Sequence, residues 1–271
     1  MDEITILTYL LALVSGLLVG AVSPVLVVSR SVMFSLTLLH SILGGAILGV
    51  YINVVFNLSL PIPLVATATA IIFSILAAEL VERGLPEDTA TALSVVLSTT
   101  LTIIFSYYAS TLSSTALAEA WSYVMGSSAL VTPEDVFKTY ITLIVVAPVI
   151  HLLWLEFKYI AFDSEGGEAL GLNVRLYRYT LYSLIALSAS VLASTIGVLV
   201  THVIIAIPGA LALKISGRRV SLISYLISII LMFSGYLTAR YLFLPPSGGV
   251  GIVASATILL VVLWDKVVKS L

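Results

Sequence analysis

Three histidines, His40, His151 and His202, are the strongest metal-binding side chains in the sequence, and there is no cysteine to supplement them. Disulfides, thiolate metal sites and cysteine nucleophiles are thereby excluded. Neutral imidazole is a good ligand for zinc, manganese or iron. His40 stands within an apolar run and is followed by Gly44, Gly45 and Gly49, spacings that let a second helix approach closely. His202 lies between Gly197 and the pair Pro208 and Gly209, where proline removes a backbone donor and glycine tolerates a turn. Each has an ordinary reading beside the metal one: His40 as a structural hydrogen-bonding group, His202 as the partner of a backbone group freed at a helix break. His151, beside Trp154 at the end of an apolar run, reads as interfacial. No HExxH or GxSxG motif accompanies these residues, so a hydrolase has no constellation to run on.

Chemistry-bearing residues are few because the chain is 60% hydrophobic and 10% charged, with a mean hydropathy of +1.18. A soluble domain is about 45 to 50% apolar and about 25% charged, so water cannot be the solvent for most of this surface. Apolar runs bounded by charges or by Pro, Gly and Asn fall at 4–28, 32–56, 61–80, 89–110, 136–155, 179–197, 199–213, 220–243 and 248–265. Crossing a hydrocarbon layer takes roughly 20 such residues as a helix. Lipid offers the backbone no hydrogen-bond partner, and the runs lack the alternation of a barrel strand, so each should be helical. The fold class is therefore all-α, a polytopic membrane protein of eight or nine spans forming one domain over residues 1–271. The count is open at Tyr179 to Leu213, which is uncharged, too long for one crossing and slightly short for two. Breaks at Gly197 and at Pro208 and Gly209 give either two short crossings or one crossing with a re-entrant piece. The first run follows Met1-Asp2-Glu3 rather than a basic stretch and reads as a permanent span.

Cytoplasmic loops carry the excess of Lys and Arg. With nine spans and the N-terminus outside, ten of the twelve basic residues fall inside: Arg30, Arg83, Lys158, Arg175, Arg178, Lys214, Arg218, Arg219, Lys266 and Lys269. Only Lys138 and Arg240 fall outside. The same arrangement places the C-terminus and the polar stretch Glu156 to Arg178 in the cytoplasm, and Ala118 to Asp135 on the external side of a plasma membrane. A net charge of -2 gives no reason to invoke nucleic acid. Tyr107, Tyr108, Trp121, Tyr123, Tyr236 and Tyr241 read as anchors at the lipid headgroups. Glu119, Glu134 and Asp135 form either a solvated acidic loop or a surface for a basic patch on a binding protein. The carboxylates lie in loops or near span ends, Glu79 being closest to the membrane. That disfavours a secondary ion transporter, which would use buried mid-span carboxylates.

The stretch Phe162 to Arg178, FDSEGGEALGLNVRLYR, joins acids at Asp163, Glu165 and Glu168 to Gly171 and to bases at Arg175 and Arg178. By charge it reads either as a solvated loop or as a short helix along the membrane that docks a cytoplasmic partner. It resembles the cytoplasmic signature of metal-importing ABC permeases, the ABC-3 family of zinc, manganese and iron importers. Three more stretches resemble motifs of that family: RSVMFSLTLLHSILGGAILG from Arg30 to Gly49, IGVLVTHVIIAIPGA from Ile196 to Ala210, and LPPSGG from Leu244 to Gly249, expected just before the last helix.

The resemblance implies the BtuC-like permease architecture, in which two copies form a translocation path, two ATPase subunits dock beneath and an external binding protein delivers the ion. The chain has no G-x-x-x-x-G-K-S/T phosphate loop, so ATP would be hydrolysed on the partner subunit. The implied coupling element comprises Phe162, Asp163, Glu165, Glu168, Ala169, Gly171 and Arg175, with Ala169 and Gly171 allowing close packing. His40 falls at the family's histidine position. Many relatives carry an aspartate four residues earlier, where this chain has Leu36, and Thr37 cannot replace it as a charged ligand. His202, at a place where relatives usually carry a small residue, would compensate in part, with histidines from two protomers lining one pore. The metal would be cargo rather than a tightly bound cofactor, selected largely by the binding protein. The nearest alternative is the same machine carrying a metal chelate.

Overall fold

The computed structural model describes residues 3–112 and 131–270. Every regular element among them is a helix: α1 Glu3–Val28, α2 Val32–Phe56, α3 Ile62–Glu82, α4 Glu87–Leu112, α5 Pro133–Leu152, α6 Trp154–Phe162, α7 Ser164–Ala169, α8 Val174–Ile196, α9 Val198–Ile204, α10 Ile207–Ile215, α11 Val220–Leu242 and α12 Pro246–Ser270. Among the described residues nine stretches of 18 to 25 residues are long and apolar enough to cross a membrane. They are α1 to α5, α8, α9 with α10 as one broken span, α11 and α12. Glu119, Trp121 and Tyr123 lie outside the described residues.

Helix ends follow local chemistry. α5 starts earlier than the apolar run because Thr132 and Asp135 form a capping box, each side chain accepting the other's backbone N–H, with Pro133 in the first turn. It stops at Leu152, so the run expected to reach 155 is interrupted and Trp154 opens a separate helix. LPPSGG does not precede the last helix but begins it: Pro246 is the first residue of α12, a position where the missing proline N–H costs nothing.

The uncharged stretch from Tyr179 to Leu213 resolves into two traverses of the bundle. Tyr177 and Arg178, at the start of α8, line one cavity with Arg30 and Glu87. Gly217 to Arg219, just after α10, line a neighbouring cavity that also contains Arg30. Both ends therefore sit on the face that carries the α1–α2 turn. α8 leaves that face, and the broken α9–α10 span returns to it. At the other face Arg240 reaches Thr5. This parity requires an odd number of crossings and fits nine.

Small residues set the helix spacing. α2 packs between α3 and α4. A Cβ added at Gly45 would lie 2.7 Å from Thr69 and 2.9 Å from the Cα of Ala66, both on α3. One at Gly44 would lie 3.1 Å from the Ser98 carbonyl on α4, and one at Gly49 would lie 3.2 Å from Val65. Such seams let backbones gain dispersion contacts in a solvent that supplies no hydrophobic drive between helices. α1 and α8 supply much of the buried core, including Leu18, Leu26, Ile185 and Leu192. Tyr107, Tyr108 and Tyr241 are exposed. Tyr236 is not an anchor: it shares the packed face of α11 with Met232 and Ala239 and is buried.

Candidate functional site

α2 is covered by its own chain almost all round. Between Ser31 and Val50, the only exposed side chains among those described are Met33 and His40. Seven residues separate them, two helical turns, so they share one open stripe. α9 packs against α2 and brings His202 to the histidine on that stripe. The two rings are 6.1 Å apart between centroids and nearly perpendicular, at 78°. His40 and His202 are thus neighbours within one chain. A metal bound to two imidazoles at about 2.0 to 2.1 Å holds their ring centres roughly 5 to 6 Å apart. The observed 6.1 Å lies at the upper edge of that range. Among the described residues no group of three His, Asp or Glu side chains is placed to hold a metal. Thr37 is buried and donates its hydroxyl to the Met33 carbonyl at 3.0 Å.

Two backbone devices fix His202. Gly197 has φ +97°, a conformation open to glycine and strained for other residues. It ends α8 and begins α9, its carbonyl accepting both the Thr201 N–H and the Thr201 hydroxyl. The His202 Nδ1–H donates to the Val198 carbonyl at 2.9 Å. A carbonyl can only accept, so this tautomer leaves the imidazole lone pair on Nε2. Donation of one ring N–H to a backbone carbonyl is the usual support of a metal-ligating histidine. At the other end of the broken span, Pro208 occupies the first turn of α10. The Gly209 N–H donates to the Ser23 hydroxyl of α1 at 2.7 Å. A Cβ at Gly209 would lie 2.3 Å from the Ser23 carbonyl oxygen, so only glycine fits. His151 stands elsewhere, at the end of α5, donating to the Ala147 carbonyl and stacked on Tyr225.

The stretch Phe162 to Arg178 holds one short helix, α7, between the end of α6 and the start of α8. α6 ends at Phe162, and Asp163 turns the chain and caps α7, its carboxylate accepting the Gly166 N–H at 2.8 Å. Phe162 is 75% exposed and Leu170 70% exposed. Asp163, Glu165, Glu168, Ala169 and Gly171 are exposed around them. Gly171, at φ +85°, reverses the chain after α7. This outward-facing short helix is tied to the bundle by buried Gly167, which sits against Val174 and Ile160.

Arg175 and Arg178 belong to the first turns of α8 rather than to the docking helix. Arg175 pairs with Glu79 at 2.7 Å, Tyr179 donates to the same carboxylate, and Arg83 reaches its other oxygen at 2.8 Å. Arg178 pairs with Glu82. Beside them Tyr182 and Ser31 donate to Glu87 at 2.7 and 2.9 Å. The network binds the start of α8 to the end of α3 and to the α1–α2 and α3–α4 turns. The sequence held a signal for it: Glu79 and Glu82, like Arg175 and Arg178, are spaced i, i+3 and share a helix face. Acids near a helix C-terminus and bases near an N-terminus also oppose the helix dipole. Pairing them across two helices removes the conflict. Of the outer acids, Asp135 is buried, caps α5 and pairs with Lys138 at 3.0 Å, so it offers no docking surface. Glu134 remains exposed.

Among the described residues, nine stretches of membrane-crossing length define a multi-pass membrane protein. The chain matches the model of the ABC 3 transport family over residues 1–266 and belongs to that family. It is 25% identical over 256 residues to a Thermotoga maritima protein described as a "Probable metal transport system membrane protein", covering 92% of this chain and 86% of the relative. A Chlamydia pneumoniae protein of the same description is 26% identical over 242 residues, covering 88% and 81%. The fold is similar to a chain of "PsaBC from Streptococcus pneumoniae in complex with Fab", with a TM-score of 0.77 at 17% identity over 96% of this chain and 91% of that one. It is also similar to a chain of "a putative metal-chelate type ABC transporter" in an inward-facing conformation, with a TM-score of 0.63 at 17% identity, covering 96% and 89%.

Proposed function

We propose that the chain is the membrane permease subunit of an ATP-driven importer for a divalent transition metal. It acts as a homodimer in the plasma membrane, N-terminus outside and C-terminus in the cytoplasm, with a cytoplasmic ATPase docked on α7 and an extracytoplasmic metal-binding protein above. The observation that carries this reading is the His40–His202 pair at 6.1 Å on the exposed stripe of α2. Two neutral nitrogen ligands without a third protein ligand among the described residues give a site that can accept an ion and release it. A transfer site needs that property, whereas structural zinc sites use four ligands. Zinc and ferrous iron suit imidazole, while manganese favours carboxylates, so the pair supports the softer ions of the class. The names of the Thermotoga and Chlamydia relatives support metal transport without naming an ion.

ATP-dependent uptake of zinc, manganese and iron into proteoliposomes carrying the permease and its partner subunits tests this. Zinc or iron uptake should fall at least tenfold in His40→Ala and in His202→Ala, with ATP hydrolysis retained. Uptake of the free ions unchanged in both variants would sink the metal-path reading. The sparse ligand set also favours a second reading, a chelated metal as cargo, which brings its own ligands. In that case a chelate competes in transport and free ions do not.

A further inference from the structure

We propose that the chain carries a binding site for an anionic phospholipid at the end of the bundle beside the coupling helix. A cavity of about 770 Å³ opens between the α1–α2 turn, α6 and the α10–α11 turn. Arg30, Lys158, Arg218 and Arg219 line it together, and no carboxylate does. All four cations are exposed. No carboxylate of the described residues forms an ion pair with any of them. The contrast with Arg175 and Arg178 on the same face is informative: there each cation has its glutamate. In a chain with more acids than bases, four cations that line one cavity with no carboxylate partner among the described residues suit an anion from outside.

The walls say which anion. Beside the cations the cavity is lined by Trp154, at the start of α6, and by Leu222, in the first turn of α11. Leu222 is 58% exposed, so the cavity borders surface that faces hydrocarbon. Cationic charge, an indole and aliphatic side chains around one cavity match a phosphodiester headgroup with its acyl chains. A free phosphate would gain nothing from the apolar wall. An acidic protein surface would not enter between helix ends. The anionic cytoplasmic leaflet supplies such lipids on the side where basic loops accumulate. The site stands independently of which cargo the permease carries.

The test uses the complete transporter in nanodiscs of phosphatidylcholine with or without phosphatidylglycerol. Lipid retained on the protein is read by native mass spectrometry, and stability by thermal unfolding. Each basic residue near a membrane surface contributes about fivefold in affinity for anionic lipid. The triple variant Lys158→Gln, Arg218→Gln, Arg219→Gln should therefore bind phosphatidylglycerol on the order of 100-fold more weakly. It should also lose the stabilisation by that lipid seen in wild type. Arg240→Gln, at the opposite face, should keep both. Equal retention in the triple variant and wild type would overturn the proposal. So would inorganic phosphate giving wild type the same stabilisation in neutral nanodiscs, which would make this a free-anion site. A triple variant that keeps its lipid but sheds the ATPase subunit would assign the cavity to protein docking instead.

Discussion

Gly209 is the place where one methyl group should do the most damage. An alanine Cβ there would lie 2.3 Å from the carbonyl oxygen of Ser23 and 2.8 Å from the nitrogen of Pro24. Both are backbone atoms, so no rotamer change relieves the clash, and α1 and α10 must separate. Overpacking of this kind costs about 1 to 3 kcal/mol. Loss of the 2.7 Å bond from the Gly209 N–H to Ser23 adds about 0.5 to 1.5 kcal/mol. The sum for Gly209→Ala, about 2 to 4 kcal/mol, corresponds to a fall of roughly 4 to 7 °C in apparent Tm for a chain of this size. Gly251→Ala is the matched control: its Cβ would meet only Val200, at 3.9 Å. There the helix gains propensity, up to about 1 kcal/mol, and the melting temperature should hold or rise. Both are measured in one detergent by intrinsic fluorescence at a single scan rate. If Gly209→Ala melts with wild type, α1 and α10 are not as close as described, and the support for His202 through that seam fails with it.

Two further substitutions probe the Glu79 ion-pair network and the imidazole pair. Glu79→Gln keeps the side-chain shape but leaves Arg175 and Arg83 without their shared counter-ion. Ions moved per ATP hydrolysed should drop several-fold while the ATPase stays bound, and an unchanged ratio would show that α8 and α3 do not need this tie. Leu36→Asp restores a carboxylate one helical turn before His40, and hard oxygen ligands favour manganese. Competition uptake should shift toward manganese and away from zinc; no shift would mean that the pore does not select the ion.

The number and order of helices were legible because lipid imposes a single rule on every stretch of backbone: bury the hydrogen bonds within the helix or do not cross. That rule reads directly from apolar runs, and it placed α1 to α4 within a few residues. It could not place helix ends such as Thr132 and Leu153, where side-chain capping and a local turn decide. Nor could it settle the uncharged stretch after Tyr179, since hydropathy is blind to the direction of travel. The position of Gly217 to Arg219 beside Arg30 supplies the direction.

Residue types at the imidazole site were equally visible, but not their meeting. His40 and His202 are far apart in sequence, and each alone had a satisfactory structural explanation. What joins them is backbone: a glycine at φ +97° that redirects the chain and another that lets α10 close against α1. Glu79 and Glu82 were easier to misread, because carboxylates at a helix end look like solvated surface until their partners are known. Their helix should disfavour them there, as α8 should disfavour Arg175 and Arg178 at its start. Two local violations that cancel only in the folded state bind the start of α8 to α3, and α3 holds α2 through Gly45. His40 therefore shares a rigid, close-packed route with the surface where a partner would push.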